Sequence, residues 1–105
     1  MYTRRARYFD SENAFNITYP PVPGHSFVLE RDRAFDPATG TALIPLDQST
    51  ALGLSFPATT PLVLASYARI SAKDTLWHTV CASTLCGYVI EGGGWSAQGD
   101  DVIEW

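Results

Sequence analysis

The chain has 105 residues, 46% of them hydrophobic and 12% aromatic, with a formal net charge of −4. That composition fits one small globular domain rather than a disordered chain. It also lacks the basic balance expected of a nucleic-acid-binding surface. No apolar run approaches the ~18 residues needed to cross a bilayer. The basic opening MYTRRARYFDSENAF has no apolar segment after it, so no signal peptide is expected and the expected location is cytoplasmic. Arg4, Arg5 and Arg7 read as a solvated terminus. At this length folding buries only about two-thirds of the unfolded surface, so assembly is an effective way to enlarge a modest core.

Residues 1–41 read as an arm and loop. Within them YPPVPGHS (19–26) is rich in proline, which excludes a helix interior or a central strand and suits an extended segment. FVLERDRAF (27–35) is compatible with either a short strand or a helical turn. Asp36-Pro37 and Thr39-Gly40 make turns that lead into a short strand at Ala42–Leu46. QSTALGL (48–54) can hold one helical turn.

Strand signals strengthen after residue 60. PLVLASYARISA (61–72) alternates Leu62, Leu64, Ser66, Ala68 and Ile70 with Val63, Ala65, Tyr67 and Arg69 on opposite faces. TLWHTVC (75–81) and LCGYVIE (85–91) are expected to be two further strands. Gly92–Gly94 allow a corner, and GWSAQ (94–98) and DVIEW (101–105) flank a Gly99-Asp100 hairpin turn. Closely spaced short strands predict an all-β antiparallel sandwich or barrel.

The block 68–105, and above all the corner Tyr88-Val89-Ile90-Glu91-Gly92 with Gly94, resembles the first half of a cupin domain. The resemblance extends over about residues 42–105 and is closest in tone to the gentisate-dioxygenase-like cupins. It implies a jelly-roll barrel, or part of one, over 42–105. Counting back from Gly92, the family's two metal-binding histidines would fall on Thr79 and Cys81, and its glutamate on or beside Leu85. A one-residue shift brings His78 into the first position but leaves Val80 in the second. The facial imidazole and carboxylate set that holds a non-haem iron is therefore not assembled. No cofactor is expected, with a divalent metal such as iron as the alternative and His78 as its weak candidate ligand.

The remaining candidates are ligand-binding rather than catalytic. Arg69 beside Tyr67 could meet an acidic ligand, although a surface arginine is the plainer reading. Trp77, His78, Thr79, Cys81 and Tyr88 are the other candidate ligand-binding residues, yet each also reads as ordinary packing, and on one strand His78 and Cys81 would point to opposite faces. Cys81 and Cys86, the two cysteines, read as free thiols. The expected function is a non-catalytic small-molecule-binding or assembly module. Half of a metal-dependent cupin dioxygenase or isomerase, needing a second chain, is the alternative. The chain ends where a barrel would continue, and open edges are pairing sites. A homodimer formed through open strand edges or arm exchange is expected, with no nucleic-acid or membrane partner.

Overall fold

The computed structural model describes residues 21–105 together with Ser11. Helix α1 (Val28–Phe35) carries Glu30 in the first turn and Arg33 in the last, each placed to complement the helix dipole. It stops at Asp36, whose backbone is extended at φ −78° and ψ 119° because the following proline disfavours a helical conformation there. Asp36 then accepts the Ala38 N–H at 2.9 Å and caps a short 3-10 turn, Pro37–Thr39. FVLERDRAF thus resolves as a helix.

Strand β1 (Ala42–Pro45) pairs antiparallel with β2 (Ser66–Arg69), with Leu43 opposite Ala68 and Ile44 opposite Tyr67. Residues directly opposite share a face, so Ala42, Ile44, Tyr67 and Arg69 lie on one side of this ribbon. That side is the covered one: Ile44 is 1% exposed, and α1 packs against both strands. The alternation assigned to 61–72 therefore correctly groups Tyr67 with Arg69, although the strand itself is much shorter than the pattern.

The excursion between β1 and β2 contains a one-turn helix, α2 (Ser49–Leu52), closed by Gly53 at φ 67°. Asp47 organises it. One carboxylate oxygen accepts the backbone N–H of both Ser49 and Ala58, each at 2.9 Å, and the other accepts the Ser49 hydroxyl at 3.1 Å. Thr59 donates its hydroxyl to the Leu46 carbonyl and accepts the Ala65 N–H at 2.9 Å. Ala58, at the centre of this knot, is buried.

A second ribbon stands apart from the first. Among the described residues, strand β3 (Trp95–Gln98) pairs only with β4 (Asp101–Glu104), in the register Trp95–Glu104 through Gln98–Asp101. Its turn has Gly99 at φ 59°, while Asp100 keeps a negative φ. The hairpin read from Gly99-Asp100 is present as predicted.

The all-β cupin-like jelly roll is not. Among the described residues there are two helices, a 3-10 turn and two separate two-stranded sheets, a mixed α/β arrangement. The difference lies in residues 75–91, which have strand-forming composition but no assigned strand. Among the described residues they have no ladder partner, and no backbone hydrogen bond is made by 76–93. The Cα radius of gyration is 19.4 Å, against about 13 Å for a compact domain of this length.

Candidate functional site

The candidate residues fall into two groups with different surroundings. Tyr67 and Arg69 sit half-buried on the covered face of β2. The Arg69 guanidinium donates from Nη1 to the Ala34 carbonyl at 3.0 Å, which places a cation at the C-terminal end of α1. Its Nε is buried without a partner. The side chain thus ties the helix to the sheet.

Trp77, His78, Thr79, Cys81 and Tyr88 all lie on the segment 75–93, which holds neither helix nor strand, and all are exposed. Trp77 is 86% exposed and Tyr88 89%. Leu85, Val89 and Ile90 are exposed along the same segment. Cys81 and Cys86 are free and exposed. Among the described residues no group of three or more His, Cys, Asp or Glu is arranged to hold a metal ion, so His78 has no ligand set around it there. Cys81 instead lines one end of an open cleft of about 570 Å³, shared with Phe56, Pro61, Leu62 and Leu64.

The hairpin also exposes apolar side chains. Gly94 and Trp105 exchange both backbone hydrogen bonds, at 2.8 and 2.9 Å. From this pair the ladder alternates, so Ser96 and Gln98 also direct their backbone groups toward β4. Trp95 and Ala97 direct theirs away from β4, onto an open edge. The side chains divide in the same rhythm. Trp95, Ala97, Val102 and Glu104 share one face; Ser96, Gln98, Asp101, Ile103 and Trp105 share the other. Trp95, Val102 and Ile103 are each more than half exposed.

A second cleft, of about 390 Å³, lies beside the Asp47 knot and is lined by His25, Gln48 and Ser49 among others. Asp47 was not singled out by sequence, because a single aspartate before Gln-Ser-Thr looks like any turn residue. The Ala58 and Ser49 N–H groups hold its carboxyl below the ordinary value of 3.8, outweighing a small opposing desolvation. Asp74 is held low by the Thr41 hydroxyl and then by the Thr75 N–H. Both carboxylates brace loops.

No helix among the described residues is long and apolar enough to cross a membrane. Comparison with protein-family models, with curated proteins and with solved structures gives no match for this chain. Nothing in those comparisons points to a cupin.

Proposed function

We propose that this chain is an assembly module whose C-terminal part, residues 75–105, completes its β-structure by pairing with another polypeptide. One observation carries this reading. A segment of strand-forming composition, with Trp77 and Tyr88 almost fully exposed, finds no partner for its backbone donors and acceptors among the described residues. Water satisfies those groups in the isolated chain, but the apolar side chains gain from burial at roughly 25 cal/mol per Å². An isolated two-stranded hairpin such as β3–β4 is marginal in water, and additional strands are what usually stabilise one.

The surface area agrees. The accessible surface is 9550 Å², whereas a compact monomer of this mass exposes about 5,800 Å². The excess is larger than the roughly 1,600 Å² buried in a standard protein–protein interface. Binding of a small organic ligand finds weaker support, since the cleft at Phe56, Leu62 and Cys81 is open and its lining is mostly exposed.

Limited chymotrypsin digestion of the dilute protein tests the assembly reading. Cleavage after Trp77 and Tyr88 is expected first, before the half-buried Tyr67, with protection appearing as the protein assembles. First cleavage at Tyr67, with Trp77 and Tyr88 resistant in a monomer, would refute it.

A further inference from the structure

We propose that the partner at the hairpin is a second copy of this chain, joined antiparallel through the open edge of β3 about a twofold axis at Ser96. This rests on the assembly reading and adds the occupant, the edge and the register.

The choice of edge follows from charge. Strand β3, Trp-Ser-Ala-Gln, has no charged residue and no proline, and so lacks the usual devices that protect an edge from pairing. Strand β4 carries Asp101 and Glu104, with Asp100 in the adjoining turn. Two β4 edges brought together would gather carboxylates from both copies, in chains that already carry a net charge of −4. Two β3 edges bring none, so the like-charge repulsion that opposes self-association is smallest there.

The register follows from the ladder. The outward N–H and C=O groups of Trp95 and Ala97 have no partner among the described residues, so hydrogen-bonded pairs across the new seam must be made from these two. Centring the axis on Ser96 sets Trp95 opposite Ala97 of the second copy, and Ala97 opposite its Trp95. Every outward-pointing backbone group of the two residues then has a partner. The small alanine leaves room for the indole beside it. Gly94 falls opposite Gln98, and Ser96 opposite Ser96, in close non-hydrogen-bonded pairing.

The product is a four-stranded sheet, β4-β3-β3-β4. On one face Val102, Trp95 and Ala97 of each copy form an apolar band, flanked on the outer strands by Glu104 of each copy. This sheet clears the size at which β-structure supports itself, which the lone hairpin does not. Closed twofold symmetry also consumes the β3 edge of each copy, so growth through that edge stops at two.

Cysteine cross-linking of the full chain tests the register. In a background with Cys81→Ser and Cys86→Ser, Ser96→Cys is expected to form a disulfide-linked dimer on mild oxidation, because a close antiparallel pair brings the two β-carbons near disulfide distance. Val102→Cys, on β4, is expected to stay largely uncross-linked. Ala97→Pro removes an outward N–H without touching the β3–β4 ladder, and is expected to give a monomer by light scattering with the hairpin intact by NMR.

Efficient cross-linking at Val102 but not Ser96, or dimers that persist with Ala97→Pro, would overturn the β3 edge while leaving the assembly reading in place. A wild-type mass of 11.5 kDa up to about 100 times the micromolar range, with 76–93 still unprotected, would overturn the second copy as partner. If 76–93 is instead protected in that monomer, the assembly reading falls as well.

Discussion

Trp105 donates its indole N–H to the Ser96 hydroxyl at 2.8 Å, and its ring lies against Gly94. A β-carbon at position 94 would sit 2.8 Å from the ring atom Cη2, closer than such contacts are found. The glycine is therefore needed for space, at a position where its φ is not positive. Gly94→Ala is expected to displace the indole, break its hydrogen bond to Ser96 and destabilise the hairpin by about 1 kcal/mol. The Trp105 Nε1–H resonance should move toward its solvent-exposed position; an unchanged resonance would show that the ring has room to adjust.

Ile44 is the one large side chain that is fully buried among the described residues. Its removal leaves a void between β1, Tyr67 on β2 and α1. Ile44→Ala is expected to cost about 2–4 kcal/mol, a large share of what so small a core supplies. Urea denaturation followed by far-UV circular dichroism would check this, and a loss below about 1 kcal/mol would place the stabilising core elsewhere.

Arg69 is bonded to the Ala34 carbonyl at the end of α1. Arg69→Met keeps most of the aliphatic bulk and removes the donor. It is expected to lower stability by roughly 1–2 kcal/mol, with the loss concentrated in helix signal. Helical circular dichroism that survives unchanged to the wild-type midpoint would show that α1 docks without this bond.

The Asp47 carboxyl titrates below its ordinary value because it accepts the Ala58 and Ser49 N–H groups in the folded chain. Its contribution is present above the unfolded pKa, near 4. It is lost as pH falls through the lower folded value. Asp47→Asn is expected to lower the melting temperature at pH 7, with the gap to wild type closing below about pH 4. A gap that is constant from pH 7 to pH 3 would place the effect in shape rather than charge.

Much of the local structure was legible in the sequence. The strand at Ala42, the helical turn in QSTALGL and the Gly99-Asp100 hairpin each depend on neighbouring residues, and each appears. The barrel failed because 75–81 and 85–91 have strand composition, and composition does not supply a ladder partner. The resemblance read at the Gly92 corner carried the expectation of a fold that the contacts among the described residues do not build. The candidate surface was legible as individual aromatics, Trp77, Tyr88 and Trp95. Their common exposure could not be read from the sequence, since a tryptophan in a strand-like run is ordinarily a core residue.

Amide hydrogen exchange of residues 76–93, measured across a dilution series, tests the central claim most directly. In the dilute monomer these amides should exchange at close to unprotected rates, while Ile44 and Tyr67 remain slow. Protection should appear in 76–93 and at Trp95 and Ala97 as the assembled fraction rises. Slow exchange throughout 76–93 in a monomer, independent of concentration, would contradict the claim, because the chain would then satisfy its own strands without a partner.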